Sequence, residues 1–467
     1  MITIHFKNQG QSLYEEIYEF IKNEIRSGHL SFNEKLPSKR SLAAHLSVSV
    51  NTVDSAYGQL VAEGYLEAIP KKGFFVCEID AYLHGEELHP VGMKTMQVNG
   101  NEKIKIEFSP NAIDSNLFPY DVFRKIFKST FNEYDLGLLK RPDIQGDLGL
   151  RKALVQLLYH SRGVSCSEDQ IVIGAGTDNL LQILGLIWGR DKSFVFENPV
   201  YLKAYTIVEN MGNKVIPVNI DKKGIRIEPM EALANIAIYV TPSHQFPLGM
   251  SMPIDRRIKL LNFSSQGDGA YVIEDDYDSE FRYNEKPLPS LQSIDKNGKV
   301  IYMGTFSKSI APSIRISYMV LPEPLLKTYL EICDEISSPV SSLEQKMIAE
   351  FIASGHFEKH VNKMRKVYKE KRMFLMAALS ELGDKIAVTG ENAGHHLLVQ
   401  LKTGMIEENM CVHALKLGVK VYPISTYFIN GVPKKYQSMV LLGYGSLSYE
   451  EIEEGIRILK KAWGLQK

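Results

Sequence analysis

The chain has 467 residues, of which 44% are hydrophobic and 23% charged, and its formal net charge is -1. This length predicts two or three folding units, and the composition excludes disordered and collagen-like proteins. The near-neutral charge excludes a general attraction to nucleic acid, so any DNA contact has to come from a local basic patch.

The cysteines and the apolar segments bear on metal sites and on location. Cys77, Cys166, Cys333 and Cys411 are scattered and form no CxxC pair, which argues against a zinc site and against a disulfide framework. Residues 1–10 lack a basic segment followed by an apolar one, and no stretch reaches the ~18 apolar residues of a membrane span. We therefore expect a cytoplasmic protein with no metal site and no membrane anchor.

The N-terminal residues have the pattern of three helices and a hairpin. Apolar residues recur at helical spacing over residues 13–26, and Ser38 and Ser49 are suitable caps for two further helices. After Gly64, residues 65–76 read as two short strands around a basic turn. The order is that of a helix-turn-helix followed by a wing.

Candidate DNA-binding residues lie at the ends of these elements. Residues 1–78 are not basic overall, but cations occur at the start of the second helix and at the wing tip, where this architecture meets phosphate. Short polar side chains open the third helix, whose first turn can enter the major groove. The predicted DNA-binding residues are Lys35, Ser38, Lys39, Arg40, Ser49, Asn51, Thr52, Lys71, Lys72 and Gly73. The alternative is a solvated helical bundle that mediates protein contacts only.

The remaining residues predict an α/β fold. Residues 80–105 show no sustained periodicity and are interpreted as a linker between a domain over residues 1–79 and a second domain over residues 106–467. In the second domain short apolar runs alternate with helical stretches, which is typical of a mostly parallel sheet covered by helices. Charged helices over residues 343–381 and later strands indicate a smaller C-terminal α/β subdomain. The runs interpreted as strands are 171–173, 193–196, 215–218, 237–240, 271–273, 300–303, 396–401 and 439–444.

A lysine and several anion-binding groups follow the strand at residues 300–303. Partial burial at this place would lower the pKa of Lys308 and leave its amine neutral and nucleophilic. The hydroxyls of Thr305 and Ser307 and the guanidinium of Arg315 are suitable phosphate ligands. This loop therefore combines a candidate nucleophile with a candidate phosphate site.

Further candidates follow earlier strands. Asp275 lies at the carboxyl end of the strand at residues 271–273, the edge where open α/β sheets bind ligands, and Tyr277 follows it. Tyr201 comes after an Asn-Pro turn and could stack on a planar ring. The glycine loop at residues 174–177, with Gly176 and Thr177, precedes a helix whose first amides suit an anion.

This set of residues matches what pyridoxal 5'-phosphate (PLP) requires. Lys308 can form the Schiff base, Asp275 can hold the pyridine nitrogen protonated, and Tyr277 can donate to the ring hydroxyl. Each piece alone is common in proteins, but their order along the chain is not. The predicted PLP-binding residues are Gly176, Thr177, Tyr201, Asp275, Tyr277, Thr305, Ser307, Lys308 and Arg315.

The same motifs carry a family resemblance. Residues 35–43, 48–53 and 63–65 closely resemble the GntR winged-helix family, although that family usually has Arg where this chain has Val50. The order of the PLP motifs resembles the class I aminotransferase fold, also called fold type I, over residues 106–467. Joined, the two halves resemble the MocR/GabR regulators across the chain.

The resemblance implies a function. It implies a transcription regulator in which bound PLP, and its adduct with an amine or amino-acid-like effector, alters binding to double-stranded operator DNA, in a head-to-tail homodimer. We expect such a molecule to be a sensor and not a productive enzyme. The residues leave two alternatives open: a working aminotransferase with an appended DNA-binding domain, and a PLP site retained only as a dimerisation scaffold.

Three positions depart from catalytic or effector-sensing relatives. Phe246 stands where aminotransferases have an Asn beside the ring hydroxyl, which makes efficient transamination less expected. Ser446 stands where a GABA-sensing relative has Arg for the effector carboxylate. Leu441, in the same segment, is apolar and offers no charge either. Lys203 and His396, or its neighbour His395, are the remaining candidates for binding an acidic group, so we do not predict GABA as the effector.

Overall fold

The computed structural model describes residues 4, 12–78, 104–132, 136–267, 269–283, 288–333, 337–390 and 393–466. The described chain divides into two compact units, Met1–Asn99 and Gly100–Lys467. Apart from residues 104 and 105, the predicted linker over residues 80–105 lies outside the described residues, and its boundaries stay a prediction.

The first unit contains the predicted helices and hairpin. Its elements are α1 (Leu13–Arg26), α2 (Lys39–Leu46), α3 (Val50–Ala62), β1 (Leu66–Ile69) and β2 (Gly73–Val76). The side chains of Ser38 and Ser49 accept hydrogen bonds from the N–H groups of Ser41 and Thr52, so the caps of α2 and α3 are as expected. The apolar faces of the three helices pack on one core around Ile17, whose side chain is fully buried.

The second unit opens with β3 and alternates strands with helices. Its first elements are β3 (Ile106–Glu107), α4 (Tyr120–Thr130), α5 (Leu148–Arg162), β4 (Ile171–Gly174), α6 (Thr177–Trp188), β5 (Ser193–Asn198), α7 (Leu202–Asn210), β6 (Val215–Asp221), β7 (Gly224–Ile225), β8 (Ile236–Val240), α8 (Ile254–Gln266), β9 (Tyr271–Asp276), β10 (Val300–Thr305) and β11 (Ser317–Val320). The strands, apart from β3, form a sheet of order β4-β11-β10-β9-β8-β5-β6-β7.

The centre of this sheet is parallel from β10 through β9, β8 and β5 to β6. The strand β11 is antiparallel to both β4 and β10, between which it lies. The parallel strands are apolar and buried because helices cover both faces of such a sheet. Their carboxyl ends meet at one edge, which brings together the residues that follow β8, β9 and β10.

A smaller subdomain follows, as predicted. Before it, α9 (Glu323–Cys333) and α10 (Ser342–Ala353) pack on the cores of the large sheet. The subdomain contains α11 (His356–Ser380), β12 (Ile386–Thr389), β13 (His396–Leu401), α12 (Glu407–Lys416), β14 (Val419–Lys420), β15 (Tyr422–Pro423), β16 (Met439–Gly443) and α13 (Tyr449–Ala462). An antiparallel sheet of order β12-β13-β16-β15 shares a core with α11 and α13, while β14 pairs with β3. None of the described helices is long and apolar enough to span a membrane.

Candidate functional site

A cavity of about 250 Å³ lies where β9 and β10 end. All the predicted PLP-binding residues line it except Gly176, which contacts one of the lining side chains. The sequence pattern thus selected residues that the fold brings together. The cavity is lined by Asn111, Thr177, Asp178, Tyr201, Lys203, Thr241, Phe246, Asp275, Tyr277, Thr305, Ser307, Lys308, Pro312 and Arg315.

Lys308 lies three residues beyond the end of β10. Its Nζ donates hydrogen bonds to the carbonyl oxygen of Pro110, at 2.9 Å, and to Oδ1 of Asn111, at 3.4 Å. The surrounding protein desolvates the ammonium and lowers the pKa of Lys308 to about 8, with a smaller opposing effect of the negative charge of Asp278. The amine is therefore closer to its neutral, nucleophilic form than an ordinary lysine is.

Asp275 is a buried carboxylate with one unused oxygen. Its Oδ2 accepts a hydrogen bond from the hydroxyl of Tyr239, while its Oδ1 has no partner among the described residues. Burial raises the pKa of Asp275 to about 7; the bond from Tyr239 opposes this shift, and the charges of Asp276 and Asp278 add to it. A protonated ring nitrogen would both satisfy this oxygen and compensate the charge.

The glycine loop and Arg315 fit closely together. Gly176 has φ +88°, and a Cβ at this position would lie 2.1 Å from Nη2 of Arg315. The guanidinium also lies 3.4 Å from Oδ2 of Asp178, and α6 begins at Thr177 with its first N–H groups unpaired within the helix. Only glycine leaves room for this guanidinium at the start of α6, which makes the loop a suitable anion cradle.

The two predicted hydroxyl ligands are linked to each other. Thr305 donates to Oγ of Ser307 at 3.1 Å and accepts from Oγ of Ser317 at 2.8 Å. The backbone N–H of Ser307 also donates to the Thr305 hydroxyl, at 3.2 Å. These bonds hold both hydroxyls in the lining of the cavity, to which Arg315 also belongs, and the three side chains together offer several donors to a phosphate group.

The tyrosine predicted to contact the ring hydroxyl is held by a histidine that is not among the predicted site residues. The hydroxyl of Tyr277 lies 3.0 Å from the carbonyl oxygen of His244, and Nδ1 of His244 lies 2.8 Å from Oδ2 of Asp278. Tyr201 and Tyr277 both meet the ring of Phe246 edge-on, with ring centroids 5.8 Å apart in each pair. Phe246 thus lines the cavity with an apolar face where aminotransferases have an amide.

The two predicted effector contacts differ in their surroundings. Lys203 lines the cavity and forms an ion pair with Asp178. His396 is buried and does not line the cavity; its Nε2 lies 2.9 Å from the carbonyl oxygen of Pro247. Burial, reinforced by the neighbouring His244, lowers the pKa of His396 to about 4, so this histidine is neutral and ill suited to bind an acidic group. Its assignment as an effector contact stays an untested prediction that these surroundings do not favour.

Several further residues of the site were missed, for two reasons. Asp178 directly follows the glycine loop, and an acidic residue at the start of a helix was a usable signal. Thr241 directly follows β8, so the end of that predicted strand was a further usable signal, whereas Asn111 comes from a segment far from Lys308 in sequence and reaches the cavity only through the tertiary fold. Tyr239 lies inside the apolar run of β8, a position that is typical of an ordinary core residue.

In the first unit the predicted DNA-binding residues lie mainly on the surface. Lys35, Arg40, Asn51, Lys71 and Lys72 are exposed, as are the cap residues of α2 and α3. Thr52 is partly buried, with its hydroxyl 2.8 Å from Oγ of Ser49. In the turn between β1 and β2, Lys71 has a positive φ of 61°. Gly73, the first residue of β2, has a φ of 117°.

Lys39 differs from the other candidate cations. It forms an ion pair with Asp54 of α3, and its Nζ lies 5.1 Å from the centre of the Phe74 ring. Because this charge is already compensated inside the unit, Arg40 is the cation of α2 that is better placed to contact phosphate.

Comparison with known proteins agrees with both units. Residues 13–76 match the family described as "Bacterial regulatory proteins, gntR family", and residues 112–423 match "Aminotransferase class I and II". The second family binds PLP. Among solved structures, an archaeal alanine:glyoxylate aminotransferase superposes with a TM-score of 0.70 at 26% identity, covering 78% of this chain and 92% of that one.

Relatives that span both units are regulators. The chain is 40% identical over 452 residues to the "Uncharacterized HTH-type transcriptional regulator YdeL" of Bacillus subtilis, covering 97% of this chain and 96% of the relative. It is 30% identical over 465 residues to the "Probable rhizopine catabolism regulatory protein MocR" of Rhizobium meliloti, covering 97% of this chain and 94% of the relative. These relatives favour a regulator over an aminotransferase with an appended domain. The chain belongs to the MocR-type transcriptional regulators, in which a GntR-type DNA-binding region is joined to a class I and II aminotransferase region.

Proposed function

We propose that this regulator binds PLP covalently through Lys308 and that an amine-bearing effector competes with the lysine for it, which changes DNA binding. The observation that carries this proposal is that one cavity is lined both by a lysine of lowered pKa and by a buried carboxylate whose second oxygen has no hydrogen-bond partner in the part of the chain that the structure describes. An isolated buried carboxylate is costly, and a cationic ring nitrogen would compensate it.

The proposed roles follow from the lining of the cavity. Asp275 would hold the ring nitrogen, Tyr277 the ring hydroxyl and Tyr201 one ring face. Thr305, Ser307, Arg315 and the amides of Gly176 and Thr177 would hold the phosphate. When bound, PLP supplies an aldehyde carbon that reacts reversibly with primary amines.

The residues of this chain favour sensing over turnover. Phe246 offers no hydrogen bond at the cavity wall, and Leu441 and Leu398 pack with it in one apolar cluster. Ser446 is exposed, so no arginine clamps an effector carboxylate at that position. We infer an effector that combines a primary amine with an apolar body. A ligand that discriminates between two arrangements of the regulator shifts DNA affinity, and DNA shifts effector affinity by the same factor.

We further propose that the winged helix contacts operator DNA through Arg40 and Lys35 on phosphate, the wing cations Lys71 and Lys72, and Asn51 at the start of α3. Their exposure supports this assignment. The helix caps Ser38 and Ser49 would orient the helix starts, and Lys39 would contribute less because of Asp54. A head-to-tail homodimer is part of the same proposal.

Borohydride reduction followed by peptide mass spectrometry tests the proposal. A buried lysine remote from the cavity, Lys192, is the control, because burial also lowers its pKa to about 8. We expect the reduced phosphopyridoxyl adduct on Lys308 and none on Lys192, and loss of the aldimine absorbance band in Lys308→Ala. An adduct distributed over both lysines, or none, would contradict the proposal.

A further inference from the structure

A second cavity, of about 410 Å³, lies between α5, α11 and the strands β9 to β11. It shares no lining residue with the cavity that contains Lys308. On β9, Asp275 lines one cavity and Asp276 the other, because successive side chains of a strand point to opposite faces. The proposed function uses none of the residues of this second cavity.

The lining of the second cavity combines aromatic rings with an acid. Tyr302, Tyr318 and Phe357 contribute rings, and Leu157 and Val361 contribute aliphatic surface. Glu280 contributes a carboxyl group to the same cavity. Aromatic faces and a carboxylate are the groups that attract an organic cation out of water.

Of the other charges that line this cavity, Arg162 and Asp276 compensate each other, whereas the acceptors of Arg365 are neutral oxygens. Arg162 is buried and its Nε donates to Oδ2 of Asp276 at 2.6 Å, and the Tyr302 hydroxyl donates to the same oxygen at 2.5 Å. On the α11 side, Arg365 directs Nε to the backbone carbonyl oxygen of Glu280, at 2.8 Å, and Nη1 to the side chain of Asn362, at 2.7 Å.

The carboxyl group of Glu280 is not compensated in this way. Among the described residues no side chain donates a hydrogen bond to it, and the nearby charges of Asp276 and Asp278 repel its ionised form. Burial is the largest effect, and together these effects raise the pKa of Glu280 to about 8. A hydrogen bond from its own backbone N–H and the charge of Arg162 oppose this shift. No cation within the described ranges of the chain forms an ion pair with Glu280, so this acid lacks a direct counter-ion when it is ionised.

We propose that this second cavity is a binding site for a small organic cation with an apolar body, whose charged head contacts Glu280 and the rings of Tyr302 and Tyr318. Charge and shape both favour this class of ligand, because the cation would supply the missing counter-ion and the aliphatic wall would cover its body. The site is independent of PLP.

Binding of a cation should release a proton. At pH 7 the Glu280 carboxyl is mostly protonated, because its pKa is about 8, and a bound cation stabilises the ionised form. Affinity should therefore rise as the pH increases through about 8 and level off above it. The titratable and charged groups that face Glu280 or line the same cavity are His160 and Arg162 of α5, Asp276 and Asp278 at the end of β9, Tyr302, Tyr318, and Glu358 and Arg365 of α11.

Calorimetric titration of the full chain with benzyltrimethylammonium tests the site. This probe has no N–H group and cannot condense with an aldehyde, so it does not report on Lys308. We expect saturable binding with one site per chain, close to one proton released at pH 7 when two buffers of different ionisation heat are compared, and the same binding in Lys308→Ala. Failure of the PLP proposal would leave this result unchanged.

Variants locate the site. Glu280→Gln should weaken binding by about tenfold or more, because a charge contact in a partly desolvated site is lost, while Glu358→Gln at the exposed rim should change it little. Leu157→Phe, which fills the cavity from α5, should also weaken binding. Absence of saturable binding, equal affinity in Glu280→Gln, or equal affinity of neutral benzyl alcohol would overturn the proposal.

Discussion

Asp275 and Gly176 show how single residues prepare the cavity for a charged ligand. One carboxylate oxygen of Asp275 has no partner among the described residues, and the backbone at Gly176 leaves space that Arg315 fills. Neither feature contributes to packing, and an unpaired buried oxygen destabilises the folded chain. The cofactor-free protein therefore carries a cost at this site that a bound ligand would relieve.

Asp275→Asn should weaken PLP binding by about tenfold to hundredfold, because a charge-assisted hydrogen bond to the ring nitrogen is replaced by a neutral one. Spectroscopic titration of PLP measures this change. Glu280→Gln is the matched control, since it removes a carboxyl group of raised pKa that lines the other cavity. Equal weakening in both variants would show that the effect is not specific to the ring nitrogen.

The same substitution should stabilise the cofactor-free protein, and more so at high pH. Because folding raises the pKa of Asp275 from its ordinary 3.8 to about 7, folding becomes less favourable as the pH rises from about 4 to about 7. Asn removes this penalty. The gain in melting temperature of Asp275→Asn over wild type should therefore be larger at pH 8 than at pH 5. A gain that grows toward acid pH would contradict the assigned shift.

Gly176→Ala should displace Arg315, because the added Cβ would lie 2.1 Å from Nη2. We expect PLP affinity to fall by about tenfold or more, and the affinity of pyridoxal, which lacks the phosphate, to fall less. Gly189→Ala is the matched control at the other end of α6, where φ is also positive and no atom lies within 4 Å of the Cβ position. If the affinities for PLP and pyridoxal fell equally, Arg315 would not be a phosphate contact.

A buried ion pair connects the helix α5 to the strand β9. Arg162 ends α5, and its guanidinium contacts Asp276, Ser243 and the carbonyl oxygen of Leu288. Arg162→Ala should destabilise the second unit by about 3 kcal/mol or more, because it leaves a buried carboxylate unpaired. Thermal unfolding measures the loss. Arg457→Ala, which breaks an exposed pair within α13, should leave the melting temperature nearly unchanged.

The helix-turn-helix makes a separate prediction about salt dependence. Arg40→Ala should reduce the slope of log affinity against log salt by about 1, as expected for one lost phosphate contact. Lys39→Ala should change the slope less, because Lys39 is paired with Asp54. The control is Lys22→Gln on α1, where the cation is bound to Glu63. An unchanged slope in Arg40→Ala would exclude it as a phosphate contact.

The sequence predicted elements whose signals are local. The parallel strands β5, β8, β9 and β10 appeared as apolar runs, because a strand covered on both faces excludes polar residues. The pattern missed β11, a four-residue strand after a polar loop that is held by antiparallel pairing with β4 and β10. Likewise Lys308 and Asp275 were found from strand ends. Asn111 reaches the site only through a tertiary contact with Lys308, whereas His244 follows β8 and was overlooked although that strand was predicted.

The whole molecule joins a DNA-binding unit to an aminotransferase-like unit, which we propose senses a small molecule. Relatives with both units are regulators, and the sequence alone indicated this combination because the GntR-like and aminotransferase-like motifs are both specific. The sequence motifs do not identify the effector. Of its two predicted contacts, Lys203 forms an ion pair with Asp178, and His396 is buried and does not line the cavity.

In the proposed function, occupancy at Lys308 is linked to DNA affinity. The most direct measurement is the affinity for DNA from upstream of the chain's own coding sequence, with and without saturating PLP, in wild type and in Lys308→Ala. We predict a shift of about fivefold or more in wild type, an equal shift of PLP affinity caused by DNA, and no shift in the variant. The same DNA affinity with and without PLP in wild type would contradict the account.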